Sequence, residues 1–240
     1  MPQLRAAALT DIGRVRQKNE DRYLFSPEDM LFGVADGVGG LPNGADAAQQ
    51  TVEEISQAVH AAGADENLDL TSIVLQVNDA VAHLGLAVSP TIGIGTTLTF
   101  GCIRNGVIKI AHVGDSRCYV WNQGEFTRLT EDHSVENEAR LRRARGEFVY
   151  YHEANRNALT RCIGQPTPPE VDVIPRPIAA GERYIFCTDG VTRMLRDAEL
   201  GELVGKHAEP EDALREIITL AVRRGGPDNA TGVLLFIDEV

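Results

Sequence analysis

Apolar residues recur with helical spacing in two stretches of the N-terminal half. The first, at about residues 45–62, carries a stripe with alternating steps of three and four, formed by Ala45, Ala48, Val52, Ile55, Val59 and Ala62. Such a stripe lies along one face of an α-helix. The second runs from Leu70 through Ile73, Val77 and Val81 to Leu84. Two amphipathic helices are therefore predicted, and each needs an apolar surface to cover.

The middle of the chain has the pattern of paired strands. Residues 97–103 and 107–113 flank Arg104-Asn105-Gly106, and Asn-Gly between two β-rich runs is a strong hairpin signal. Residues 118–121 and 126–129 flank a second polar turn. The sequence thus predicts two hairpins in succession.

Shorter apolar runs predict further strands at residues 31–35, 184–187 and 231–237, and helices are predicted near residues 197–207 and 211–224. Central hairpins with a helix pair on each side favour an α+β fold with mainly antiparallel sheets. A parallel, doubly wound sheet would need strands and helices to alternate throughout, which they do not.

Composition narrows the class of protein. The chain has 240 residues, of which 43% are apolar and 24% charged, as is usual for one globular domain. We expect a single domain over residues 1–240, since no repeat or linker divides it. The formal net charge of -12 would repel nucleic acid and anionic lipid, so neither is expected as a partner.

Cysteine usage and the apolar runs suggest a cytoplasmic protein. The N-terminus lacks the basic-then-apolar layout of a signal peptide, and the longest apolar run, residues 233–237, is too short to span a bilayer. The four cysteines form no Cys-x-x-Cys pair, and three lie in strand-like runs, which fits reduced, buried thiols. We expect a cytoplasmic monomer.

Acidic residues recur at the ends of the predicted strands beside glycine, and one more precedes the last strand within Gly225-Gly226-Pro227-Asp228-Asn229. They are Asp36, Asp115, Asp189 and Asp228. Crowded carboxylates repel one another unless a cation neutralises them, and ligands made of oxygen alone suit Mg²⁺ or Mn²⁺ better than Zn²⁺. A single Asp-Gly pair at a strand end is more often only a turn. Four such sites weaken that interpretation without naming a reaction.

The order of short motifs along the chain points to a specific reaction. They are Arg16-Gln17-Lys18-Asn19-Glu20-Asp21, Asp36-Gly37-Val38-Gly39-Gly40, Gly95-Thr96-Thr97, His112-Val113-Gly114-Asp115-Ser116-Arg117, Asp132-His133-Ser134, Leu159-Thr160-Arg161, Thr188-Asp189-Gly190 and Gly226-Pro227-Asp228-Asn229. In order and approximate spacing this series resembles that of the bacterial PPM (type-2C) metal-dependent protein phosphatases. The resemblance begins at Thr10 and reaches nearly the C-terminus.

This resemblance implies a four-layer α/β/β/α sandwich of two mainly antiparallel sheets flanked by helix pairs. It also implies a metal centre with two Mn²⁺ or Mg²⁺ ions at one end of the sheets. By position, Asp36 would bridge both ions, and the Gly37 carbonyl, Asp189 and Asp228 would complete the protein ligands. Bacterial members have a third, weaker metal site, which Asp115 with Asp189 matches.

The resemblance assigns further roles around the ions. Glu20 and Asp21 would hold metal-bound waters, and Arg16 would bind the substrate phosphate, for which a guanidinium suits because it can grip two oxygens at once. Thr96, Thr97 and His112 are expected to be structural. His133 is expected to order the loop after the sheet rather than to act in catalysis.

Two features depart from the family pattern. Eukaryotic relatives often carry a histidine two residues after the bridging aspartate as a candidate general acid, whereas this chain has Val38. The flap segment, residues 135–157, lacks the His-Pro common in bacterial members and contains Arg140, Arg142, Arg143 and Arg145. These arginines either form a solvated helix face or attract phosphorylated substrate segments.

We therefore predict a phosphoserine/phosphothreonine phosphatase that uses a metal-activated water and acts on substrates of a Ser/Thr kinase. One alternative is a phosphatase of small phosphate esters on the same scaffold. Another is a catalytically inactive phosphoprotein-binding module, against which the complete acid set argues. A calcium-binding EF-hand is excluded because no closely spaced Asp-x-Asp-x-Asp-Gly loop is present.

Overall fold

The computed structural model describes residues 2–41 and 43–240 and contains two five-stranded antiparallel sheets. In spatial order the first sheet consists of β1 (Gln3–Asp11), β10 (Ala230–Glu239), β9 (Arg183–Cys187), β6 (Arg117–Asn122) and β7 (Glu125–Arg128). The second consists of β2 (Asp21–Ser26), β3 (Leu31–Asp36), β4 (Leu98–Arg104), β5 (Val107–Val113) and β8 (Asp172–Pro177). Neighbouring strands are antiparallel throughout both sheets.

Helix pairs cover the outer faces of both sheets. Helices α1 (Gly44–Ala62) and α2 (Leu70–Val88) pack on the second sheet, and α5 (Asp197–Lys206) and α6 (Pro210–Arg223) pack on the first. Helix α3 (Val135–Ala144) and the short helix α4 (Asp189–Thr192) lie in the connections. The predicted α+β sandwich with four α/β/β/α layers is confirmed.

The hydrophobic core has three layers, one between the sheets and one under each helix pair. Val233, Leu235 and Ile237 of β10 point between the sheets, whereas Leu234 and Phe236 point towards α5 and α6. A strand covered on both faces needs apolar residues at successive positions. This explains the uninterrupted apolar run that predicted β10.

The two predicted hairpins are present. Asn105 (φ 48°) and Gly106 (φ 71°) form the turn between β4 and β5, and Gln123 (φ 50°) and Gly124 (φ 93°) form the turn between β6 and β7. Two successive positive φ angles match the right-handed twist of the flanking strands. Three strands that the apolar pattern did not predict, β1, β2 and β8, complete the sheets.

Helix α2 is apolar and long enough, by composition and length alone, to cross a membrane, with a mean hydropathy of 1.2. It packs against α1, β5 and β8. Its buried positions include Leu70, Val74, Val77 and Val81. An apolar helix of this kind is also what an outer layer needs to cover a sheet.

Candidate metal centre

A pocket of about 610 Å³ collects the predicted site residues at one end of the paired sheets. Those that line it are Arg16, Glu20, Asp36, Gly37, Asp115, Asp189 and Asp228. Asp21 lies behind them, 2% exposed. Residues more than 200 positions apart therefore meet, because strands of both sheets end here.

The backbone of Asp36 is fixed by two threonines. The Asp36 amide donates to Thr97 Oγ1 at 3.0 Å, and Thr96 Oγ1 donates to the Asp36 carbonyl at 2.8 Å. Thr97 Oγ1 also lies 2.8 Å from Ser116 Oγ. The threonines expected to be structural thus hold the end of β3 in place.

Asp21 is a buried carboxylate with one bonded and one unpaired oxygen. Thr188 Oγ1 and Thr231 Oγ1 donate to Asp21 Oδ2 at 2.9 and 2.6 Å, whereas Oδ1 is buried without a partner. Burial raises the pKa of Asp21 to about 7, although the two hydroxyl donors act in the opposite direction. The contact of these two hydroxyls with Asp21 could not be predicted locally, since both threonines lie more than 160 residues from Asp21 along the chain.

Two guanidinium groups pair with two of the lining carboxylates, Asp189 and Asp228. Arg16 Nη2 lies 2.8 Å from Asp228 Oδ2. Arg193 Nη2 forms an ion pair with Asp189 Oδ2, and its Nη1 lies 3.8 Å from Asp228 Oδ2. Sequence reasoning missed Arg193, although a helix beginning at Asp189 would have placed it one turn later on the same face.

Negative charge exceeds positive charge in this pocket. Five carboxylates line it against two guanidinium groups. Burial, followed by the charges of Asp21, Asp189, Asp115 and Asp228, raises the pKa of Asp36 well above its usual value. Burial and the charge of Asp189 raise the pKa of Asp115 to about 7. A bound cation would relieve this repulsion.

The donor atoms fit a hard divalent cation. Asp21 Oδ1 and Asp189 Oδ1 are buried and have no hydrogen-bond partner among the described residues, as expected of atoms that face an ion or its waters. In the described part of the chain, no three His, Cys, Asp or Glu side chains could hold an ion by themselves. Mg²⁺ and Mn²⁺ sites commonly complete their coordination with carbonyl oxygens and waters. The oxygen-rich set fits these ions, with Gly37 available as a carbonyl donor.

Asn229 joins the loops that carry the acidic residues. Its Oδ1 accepts from the Glu20 amide at 2.8 Å, and its Nδ2 donates to the carbonyls of Ile12 and Lys18 at 2.9 and 3.0 Å. The backbone of Gly190 approaches so closely that a Cβ there would lie 1.9 Å from the Asn229 carbonyl oxygen. Glycine is therefore required for the approach between the Asp189 and Asp228 segments.

His133 supports the turn that carries Asp115. The Gly114 amide donates to His133 Nδ1 at 3.1 Å, and the His133 amide donates to the Gly114 carbonyl at 2.7 Å. His133 Nε2 faces Asp172 Oδ2 at 3.1 Å. His112 is buried and its Nε2 faces the Glu131 carbonyl. Neither histidine lines the pocket.

The flap segment is held partly by its own arginines. Arg142 pairs with Glu147 at 2.6 Å, and Arg143 donates to the Val149 carbonyl at 2.7 Å and lies over the Tyr151 ring at 5.3 Å. Arg140 pairs with Glu131 at 3.0 Å. These arginines therefore have internal partners as well as solvent exposure.

Comparison with known proteins identifies the relatives of this chain. The family model described as "Protein phosphatase 2C" matches residues 9–230. The serine/threonine phosphatase stp of Listeria innocua is 30% identical over 234 residues, which cover 94% of this chain and 93% of that protein.

Two solved structures share the fold over nearly the whole chain. The serine/threonine phosphatase PstP/Ppp of Mycobacterium tuberculosis is 30% identical, with a TM-score of 0.82 and coverage of 98% of this chain and 99% of that one. The catalytic domain of PstP in complex with two manganese ions is 28% identical, with a TM-score of 0.80 and coverage of 98% and 99%. The family match, the relatives and the fold agree: this chain belongs to the protein phosphatase 2C family.

Proposed function

We propose that this protein is a Mn²⁺- or Mg²⁺-dependent phosphatase of phosphoserine and phosphothreonine in proteins. One observation carries the proposal: Asp36, Asp115, Asp189 and Asp228 share a single pocket with Arg16. The family membership supports the reaction class. The relatives, among them the serine/threonine protein phosphatase PstP, support a protein substrate, and in this proposal a Ser/Thr kinase phosphorylates that substrate.

In this proposal the acidic residues hold the ions. Asp36 and the Gly37 carbonyl, with Asp189 and Asp228, would hold two ions, and Asp115 with Asp189 would hold a third. Bound divalent ions supply an activated water and neutralise charge on the phosphate. Asp21 and Glu20 lie where they would orient waters around the ions, and the hydroxyls of Thr188 and Thr231 keep Asp21 in place.

Arg16 would bind the substrate phosphate in this proposal. Its side chain is 39% exposed and its guanidinium lies at the pocket beside Asp228. A guanidinium can donate two parallel hydrogen bonds to phosphate oxygens and stabilise the charge that develops on them. Among the described residues no histidine lines the pocket, so the proton for the leaving alcohol would not come from a histidine side chain.

Removal of the metal and of two ligands tests the proposal. We expect the protein to hydrolyse p-nitrophenyl phosphate and a phosphothreonine peptide with Mn²⁺ and to lose both activities in EDTA. Asp36→Asn and Asp228→Asn should each lower kcat/KM at least about 100-fold, a loss in the range seen when a group that stabilises the transition state is removed. Their circular dichroism spectra should match that of the wild type.

Asp79→Asn is the matched control, because Asp79 is an exposed residue of α2 outside this pocket. Full activity of Asp36→Asn would contradict the metal assignment. A kcat/KM ratio that favours small phosphate metabolites over phosphopeptides would support the alternative of a small-ester phosphatase.

A further inference from the structure

Arg193 is a cation that the chain itself supplies to the proposed metal site. It follows Asp189 by four residues, immediately after the short helix α4, and it lines the pocket. Its Nη2 is bound to Asp189 Oδ2, and its Nη1 lies 3.8 Å from Asp228 Oδ2. The guanidinium is therefore in contact with one predicted metal ligand and close to a second.

The Asp189 carboxylate is buried, which makes this ion pair differ from a surface pair. The Asp189 side chain is 12% exposed, whereas that of Arg193 is 40% exposed. Asp189 Oδ1 is buried, and within residues 2–41 and 43–240 it has no hydrogen-bond partner. Screening by water and salt is weaker for a buried carboxylate than for an exposed one. The guanidinium of Arg193 is thus the direct charge partner of this carboxylate.

A divalent ion and the guanidinium need the same carboxylate. Because Arg193 is attached one helical turn away, its effective concentration at Asp189 is high and does not depend on the solution. Even when displaced from Oδ2, the guanidinium would remain within a few ångströms and would repel the incoming ion.

We propose that Arg193 is a tethered competitor of the divalent ion for Asp189, and that it sets the metal concentration at which the site fills. The inference rests on the proposed metal-dependent function. It differs from the role of Arg16, whose partner is Asp228 and whose task is to bind phosphate.

Direct measurement of Mn²⁺ binding tests this role. Wild type, Arg193→Met and Arg193→Lys are stripped with chelator, dialysed and titrated with MnCl₂ in an isothermal calorimeter at pH 8. Arg193→Met should bind Mn²⁺ about tenfold more tightly than the wild type, because the competing charge is gone. Arg193→Lys keeps the charge and should lie within about threefold of the wild type. Arg196→Met removes a nearby exposed arginine that pairs with Glu199 outside the pocket and should bind as the wild type does.

The melting temperature separates competition from a purely structural role. In EDTA, Arg193→Met should melt below the wild type, since it leaves the Asp189 carboxylate without its cation. In excess Mn²⁺ the difference should vanish or change sign, because tighter binding stabilises the folded state more. A structural role alone would lower the melting temperature equally in both conditions.

Three results would overturn the inference. Arg193→Met could bind Mn²⁺ no more tightly than the wild type, or Arg193→Lys could gain as much Mn²⁺ affinity as Arg193→Met. Alternatively, Arg193→Met could lower the melting temperature by the same amount with and without Mn²⁺. Should Arg193→Met fail to fold, Arg193→Gln provides the same loss of charge with a polar side chain, and the same comparison applies. A wild type that binds no Mn²⁺ would refute the proposed function itself.

Discussion

At the scale of single residues, burial and, to a smaller extent, mutual repulsion disfavour the ionised form of the carboxylates in the site. Asp21 and Asp115 both have pKa values raised to about 7, with burial as the main cause. Their ordinary value in an unfolded chain is close to 3.8. A carboxyl group with a raised pKa is protonated more readily in the folded state. It therefore contributes stability below the unfolded pKa and loses that contribution as pH rises through the folded value.

This linkage predicts that the chelator-treated protein becomes more stable as pH falls from about 8 towards 5. Thermal melts in EDTA at several pH values measure the effect, and saturating Mn²⁺ should flatten it. Asp21→Asn should raise the melting temperature at pH 8 in EDTA by about 2–4 °C for each kcal/mol of repulsion removed, for a domain of this size. A melting temperature that falls steadily from pH 8 to 6 would contradict the assigned shifts.

A second prediction concerns His133 and depends on which of its ring nitrogens accepts the hydrogen bond from the Gly114 amide. In His133→Asn the side-chain oxygen can replace Nδ1 as acceptor for the Gly114 amide, whereas in His133→Gln it would reach the position of Nε2 instead. Losing the bond from Gly114 should cost about 1–2 kcal/mol. We expect His133→Asn to retain more stability and slower amide exchange at Gly114 than His133→Gln. If His133→Gln were the more stable variant, the contact of Nε2 with Asp172 would contribute more to stability than the hydrogen bond from Gly114.

At the scale of elements, the apolar pattern predicted the four helices of the outer layers and polar turns predicted the two hairpins, while β1 and β8 lacked the usual strand signals. Strand β1 contains three consecutive alanines, residues 6–8, which have weak β propensity. Strand β8 contains Pro175 and Pro177 and lies at a sheet edge. Proline is tolerated there because one side of an edge strand forms no inter-strand hydrogen bonds. Helix α4 spans only four residues, too short for a periodic pattern, so Arg193 was missed with it.

The flap segment allows the two interpretations of its arginines to be tested separately. Arg145 is exposed, and its side chain has no ion-pair or hydrogen-bond partner within the described ranges, whereas Arg143 holds Val149 and Tyr151. If positive charge attracts phosphorylated segments, Arg145→Glu should raise KM for a phosphopeptide several-fold and leave p-nitrophenyl phosphate unaffected. Arg143→Glu should in addition make the flap segment more susceptible to limited proteolysis. Equal KM changes for both substrates in Arg145→Glu would exclude a role in attracting peptides.

At the scale of the whole molecule, the pocket is built from both sheets. Asp36 ends β3 of the second sheet, whereas Asp189 follows β9 and Asp228 precedes β10 of the first. The acidic residues were predictable because each lies at the start or end of a strand, next to glycine or, for Asp228, in a glycine-containing turn. Their supports were not, since Thr231 and Asn229 act across separations of 210 and 209 residues from Asp21 and Glu20. Contacts of that range leave no local pattern in a sequence.

Ions bound in this position would join the two sheets. At a free Mn²⁺ concentration 100 times Kd, binding stabilises a folded protein by about 2.7 kcal/mol, or about 5–10 °C in melting temperature for a domain of this size. Hydrogen exchange should slow at the ends of β3, β9 and β10 together, and should hardly change at the distant β4–β5 turn. Protection confined to one sheet would argue against ions shared between them.

The pairing of β1 with β10 has a consequence for how the enzyme is made. Strand β1 leads into Arg16, and Asp228 lies just before β10, so the first and last strands of the chain bring these two side chains into contact. A nascent polypeptide that has not yet emerged beyond residue 228 lacks both the partner of its first strand and a predicted ligand. Phosphatase activity should therefore require β10 to be made, and a truncation that removes β10 should abolish activity even though Asp228 and the other predicted metal ligands are retained.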